Sequence, residues 1–162
     1  MDKKASVDEK ETFTEGTLPP QNAMGMSNEM VEGLYGQAYR LYNTGKYQDA
    51  MQMFRLLVMI NPSDPRYTLG LAASMHLLKE FKSAIELYTV CSILDAESPI
   101  PLYHISDCYL QTQDKLSAMI ALEMAVKRSG DKPEFQTLKD RAAMTAKSLR
   151  KELEAKGELR PS

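Results

Sequence analysis

VEGLYGQAYRLYNTGKYQDAMQMFRLLVMINPSD, residues 31–64, is followed by PRYTLGLAASMHLLKEFKSAIELYTVCSILDAES, residues 65–98, and by PIPLYHISDCYLQTQDKLSAMIALEMAVKRSGDK, residues 99–132. Laid beneath one another at an offset of 34, the three stretches agree in side-chain size column by column. Ala50, Ala84 and Ala118 superpose, as do Ala38, Ala72 and Ser106, and Leu57, Cys91 and Ala125. Large residues recur as Phe54, Tyr88 and Leu122, and as Leu41, Met75 and Tyr109. Tyr47 and Phe81 share one more column, where the third stretch has Lys115. Small residues at fixed positions let two helices approach closely, and the large neighbours fill the space that remains.

A period of 34 with this arrangement is the signature of tetratricopeptide (TPR) repeats, so an all-α helix-turn-helix solenoid is expected. The repeats run 31–64, 65–98 and 99–132, with helix pairs near 31–43 and 47–60, 65–78 and 81–94, 99–112 and 115–128. Asp64-Pro65 and Ser98-Pro99 each offer an N-cap followed by a proline at the first helical position. Asn43-Thr44-Gly45 closes the first helix. Phe135, Leu138, Ala142, Ala146, Leu149 and Leu153 form one apolar stripe at helical spacing. A capping helix over 133–156 is therefore expected, burying the last repeat and showing water a charged back. The TPR domain spans 28–156, between a flexible N-terminal segment, 1–27, and a short C-terminal tail, 157–162. Departures from the repeat pattern are the absence of tryptophan and the presence of Ala96 and Gly130 where proline is common.

Composition narrows the function. With 162 residues, 43% hydrophobic and 26% charged, the chain has room for one soluble domain. A net charge of −2 without a basic block argues against direct nucleic-acid binding. No apolar run is longer than that from Leu56 to Ile60, which is far too short for a membrane span, so no stable membrane association is expected. The first residues are charged and lack the apolar core of a secretory signal. Cys91 and Cys108 show no disulfide or CxxC spacing, which fits a reducing cytoplasm. His76 and His104 belong to no cluster at metal-ligand spacing, and no phosphate-binding loop or nucleophile motif occurs. The sequence predicts no enzyme, no metal and no cofactor.

A binding surface is expected instead. In such a stack the concave wall is lined by the first helix of each repeat at its fifth, ninth and twelfth positions. These are Tyr35, Tyr39 and Tyr42, then Leu69, Ala73 and His76, then Tyr103, Asp107 and Leu110. The i, i+4, i+7 spacing puts each trio on one helix face. Arg66 completes the candidate set. Tyrosine joins a large apolar area to one hydrogen bond at small entropic cost, which suits peptide capture. A second reading, in which the tyrosines simply cover core at the groove mouth, stays open. The chain has 11 methionines, and those on second helices (Met51, Met53, Met59, Met119, Met124) are read mainly as core fillers.

Two stretches resemble a narrower family. Leu34-Tyr35 through Tyr39 and Tyr42, then Thr44-Gly45-Lys46-Tyr47, Ala50 and Phe54, is similar to the first repeat of class II type III secretion chaperones. Asp64-Pro65-Arg66-Tyr67-Thr68-Leu69-Gly70-Leu71-Ala72-Ala73 resembles their second repeat. Glu15-Gly16-Thr17-Leu18 and Lys132-Pro133-Glu134-Phe135 resemble segments flanking their repeats, so the likeness covers about residues 15–153. The resemblance implies a bacterial cytoplasmic chaperone that keeps hydrophobic translocator proteins soluble, gripping an extended segment near the translocator's N-terminus in its concave groove. It also implies a homodimer as a candidate assembly, although Pro19-Pro20 interrupts the region relatives use for it, and a transcription factor as a candidate partner. The alternative is a generic TPR adaptor or scaffold. A carboxylate-gripping adaptor would need Lys and Asn where Tyr35 and Tyr39 stand, and basic groups where Ile100 and His104 stand.

Overall fold

The computed structural model describes residues 21 and 24–162. The expectations for residues 1–20, including the Glu15–Leu18 segment and Pro19-Pro20, lie outside the described residues.

 Seven α-helices follow one another there, and no strand occurs among the described residues: α1 Asn28–Asn43, α2 Tyr47–Ile60, α3 Pro65–Leu77, α4 Phe81–Leu94, α5 Ile100–Gln111, α6 Lys115–Ser129 and α7 Gln136–Ala155. Each helix packs chiefly on its neighbours in sequence, as short connections require.

The size columns are the contact surfaces of the stack. Ala38, Ala72, Ala50, Ala84, Ala118 and Ala125 have no exposed surface, and Phe54, Tyr88 and Leu122 fill the adjoining space while nearly fully buried. Burying side chains of that size contributes about 1.5–3 kcal/mol each. Two apolar clusters result, a larger one joining α1 to α6 and a smaller one between α6 and α7 around Met119, Leu122, Ala146 and Leu153. Of the second-helix methionines, Met51 and Met119 fill core as expected, but Met59 and Met124 are exposed.

The turns repeat as well. The Asp64 side chain accepts from the Arg66 N–H at 3.0 Å, and the Ser98 hydroxyl accepts from the Ile100 N–H at 3.3 Å, so both serve as caps. Gly45, Lys79 and Gln113, spaced 34 apart, all take positive φ (79°, 63° and 64°). After each, an N–H reaches back five residues to a helical carbonyl: Lys46 to Leu41, Glu80 to Met75 and Asp114 to Tyr109, all at 2.9 Å. The helix ends are therefore set by the same bonds in all three repeats, although only the first has the glycine that this conformation favours.

The last helix begins later than its apolar stripe suggests. Pro133–Phe135 forms a 3₁₀ turn, and α7 starts at Gln136. Phe135 thus belongs to the turn, half-buried beneath the Lys132 ammonium, 5.9 Å from its ring centre. Leu149, Leu153, Ala142 and Ala146 hold α7 on α6 as the stripe predicts. Lys115, the exception in its aromatic column, donates to Glu152 Oε1 of α7. A charge replaces the aromatic ring where the neighbour is the terminal helix.

Candidate functional site

The first helices α1, α3 and α5 meet around one cavity of about 200 Å³. Tyr35, Tyr39 and Tyr42 come from α1, Arg66, Leu69, Gly70 and Ala73 from α3, and His104 from α5, with Phe54 of α2 behind them. Six of the candidate residues thus share a cavity: the three tyrosines, Arg66, Leu69 and Ala73. Phe54, Gly70 and His104 were not among the candidates. Phe54 stood in a packing column, and its ring reaches the cavity because Gly70 has no side chain in the way. A Cβ at Gly70 would lie 2.3 Å from the Phe54 ring. His104 is the offset-34 counterpart of Gly36 and Gly70 and occupies the same position one repeat later.

The tyrosines divide into two kinds. Tyr35 and Tyr42 are half-buried and pack against the main core, and burial raises the pKa of both phenols. Tyr35 lies edge-on to Phe54 (centroids 6.2 Å apart) and against Tyr67 (5.7 Å), while Tyr42 meets Tyr47 edge-on at 5.6 Å. Tyr39 is 52% exposed. The packing reading therefore holds for part of Tyr35 and Tyr42, and Tyr39 is the tyrosine of the trio with most surface left to give.

Arg66 brings a cation to the cavity rim, but its donors are occupied. Its guanidinium donates to Asp64 and Glu32, each at 2.8 Å, and lies 4.8 Å from the Tyr35 ring centre. Asp64, then Glu32, hold the Arg66 pKa above its ordinary value, and the hydrogen bond from Arg66 holds the Asp64 carboxyl below its own. A planar guanidinium saturated by two carboxylates acts as a flat wall over Tyr35 more than as a free positive charge. The cavity surface is consequently apolar and aromatic, with its one lining arginine already paired.

The remaining candidates lie elsewhere. His76 Nε2 is 2.7 Å from Asp107 Oδ2, and His76 Nδ1 is 3.2 Å from the Tyr88 hydroxyl. The His76 ring thus bridges Asp107 and Tyr88, and the His76–Asp107 contact ties repeat two to repeat three. His104 stacks on Tyr88 with centroids 5.1 Å apart and planes at 16°. Burial, then the nearby His76, lowers the His104 pKa, which favours the neutral ring. Leu110 packs on the α6–α7 cluster, and Tyr103 lines a second cavity between α5 and α7. No group of His, Cys, Asp or Glu able to hold a metal occurs among the described residues.

Seven helices in repeating pairs, with a pocket between successive first helices, define a TPR protein. A tetratricopeptide-repeat family model matches residues 31–64 and 67–97. Low calcium response locus protein H of Yersinia pseudotuberculosis serotype I (strain IP32953) is 33% identical over 141 residues, covering 86% of this chain and 83% of that protein. The Yersinia enterocolitica type III secretion chaperone SycD, solved with a peptide of the translocator YopD, superposes with a TM-score of 0.74 at 29% identity. That match covers 78% of this chain and 96% of SycD. PcrH, solved with the chaperone binding region of PopD, gives a TM-score of 0.74 at 29% identity, covering 77% of this chain and 94% of PcrH. This chain belongs to the class II type III secretion chaperones, the TPR-containing translocator chaperones.

Proposed function

We propose that this chain holds an extended apolar segment of a type III translocator in the cavity between α1, α3 and α5, and so keeps that translocator soluble before export. The observation that carries the reading is the cavity itself: a preformed aromatic pocket at the first-helix wall whose lining arginine is neutralised by Asp64 and Glu32. Apolar side chains of an extended segment bind such a surface without leaving a buried charge unpaired. Solved relatives hold translocator peptides, which supports the same class of cargo here. The work is binding without catalysis, in the bacterial cytoplasm. Homodimerisation is part of the proposal, since SycD has been described in dimeric forms. Within the pocket Tyr39 and Leu69 offer contact area, Tyr35 and Tyr42 shape the wall, and Ala73 leaves room. His76 and Asp107 position the third repeat against the second.

The test is co-expression with the organism's translocators, followed by fractionation. A translocator that is soluble with this chain and insoluble without it supports the proposal. One that is equally soluble in both cases favours a scaffold instead, because a chaperone must cover apolar surface that otherwise associates.

A further inference from the structure

Tyr103, Asp107 and Leu110 are the wall positions of the third repeat, and the same offset of 34 carries them to Thr137, Arg141 and Met144 on α7. These three share one helix face at i, i+4, i+7. Thr137 and Arg141 line a cavity of about 380 Å³ between α5 and α7, opposite Ile100 and Tyr103. Met144 is 74% exposed, the most exposed large hydrophobic side chain among the described residues. A helix that served only to show water a polar back would not place its barest apolar side chain in line with the wall positions.

This second cavity adjoins the first, with His104 as the wall common to both. Its chemistry differs. Arg66 in the first cavity is saturated, whereas Arg141 is exposed and forms no ion pair among the described residues. Glu134, in the 3₁₀ turn before α7, lines the same cleft, so its wall carries both an acidic and a basic side chain.

Building on the cargo reading above, we propose that α7 forms a second subsite for the same translocator segment, seating an apolar side chain between α5 and α7 and pairing an acidic residue with Arg141. The occupant is the continuation of the bound segment, since the two cavities share the His104 wall. Two helix steps at 8–10 Å separate them, about six residues of extended chain. The first subsite is filled by apolar contact alone, and the second adds the charge that sets register and direction.

The experiment uses the full chain and synthetic peptides from the N-terminal region of the translocator identified in complex with it. The tightest-binding peptide is compared with forms trimmed by six residues at either end, against wild type and Arg141→Glu/Met144→Ser. Both substituted residues are exposed, so the fold is expected to survive, and circular dichroism checks it. Trimming one end should weaken wild-type binding about tenfold, the scale of a lost anchor and its charge-assisted contact. The same trimming should leave the double variant unaffected, and only the longer peptide should bind more weakly as salt rises. If trimming weakens wild type and variant equally, or neither, the second subsite is wrong while the first cavity stands. If no peptide binds wild type at all, both readings fail.

Discussion

Gly70→Ala sets two effects against each other. Alanine in place of a helical glycine ordinarily stabilises by about 0.5–1 kcal/mol, because less chain entropy is lost. Here the added Cβ would lie 2.3, 2.5 and 2.6 Å from three atoms of the Phe54 ring. Carbon atoms normally rest about 3.5–4.0 Å apart, so the overlap exceeds an ångström. Phe54 is 1% exposed, and the space open to its ring is the cavity between α1, α3 and α5 that it already lines. Overpacking costs roughly 1–3 kcal/mol, and three contacts this short put Gly70 in the upper part of that range, about 2–3 kcal/mol, so the net loss after the helix gain is about 1–2.5 kcal/mol. For a domain of this size that lowers the melting temperature by roughly 3–8 °C. The displaced ring also takes up space in the cavity, so the affinity for a translocator peptide should fall with stability. Thermal unfolding by circular dichroism and peptide titration read the two effects separately. A melting temperature that rises, with peptide affinity intact, would refute the packing of Gly70 on Phe54.

Three further outcomes follow from the packing and the titrating groups. Ala84→Leu, in a fully buried column, should force α3 and α4 apart and lower the melting temperature by several degrees; an unchanged value would contradict the repeat register. Lys115, then Lys156, hold the Glu152 carboxyl down at about 2, against an ordinary 4.5. Because the folded pKa is depressed, the stability that Glu152 contributes is full above pH 4.5 and fades as pH falls through about 2. The melting difference between wild type and Glu152→Gln should shrink over that window, and a difference that widens would reverse the sign. Burial pushes the Cys91 thiol up to about 11 and the Cys108 thiol up to about 12, so iodoacetamide at pH 8 should label neither until denaturant is added; labelling of the folded chain would contradict their burial.

The period made most of the stack legible, because close approach of two helices depends on side-chain size, and size recurs visibly every 34 residues. Ala50, Ala84 and Ala118 mark such an approach in the sequence itself. What escaped depends on direction and partner. Lys79 and Gln113 carry no residue signal for positive φ, yet they adopt it because the bonds from Glu80 to Met75 and from Asp114 to Tyr109 require it. His76 and Asp107 share wall positions in different repeats, and only the packing of α3 beside α5 shows that they satisfy one another. Arg66 belonged to the candidate set, but its pairing with Glu32, on another helix, shows only in the packing. The 3₁₀ turn at Pro133 delays α7 without disturbing the apolar stripe from which the helix was inferred. Within the candidate set, the α1 members and Arg66, Leu69 and Ala73 of α3 converge on one cavity, whereas His76 of α3 joins Asp107 in the interrepeat pair and Leu110 and Tyr103 of α5 go to the α6–α7 cluster and the second cavity.

The central claim is that cargo lies against the first-helix wall, and Tyr39 offers the cleanest access to it, since its half-exposed ring is the one least engaged by the core. Isothermal titration of the translocator's N-terminal peptide against wild type and Tyr39→Ala tests it directly. The account predicts that the variant keeps its helical spectrum while binding weakens by at least about 2 kcal/mol, as for a buried aromatic anchor. A folded Tyr39→Ala chain that binds the peptide with wild-type affinity would contradict the account.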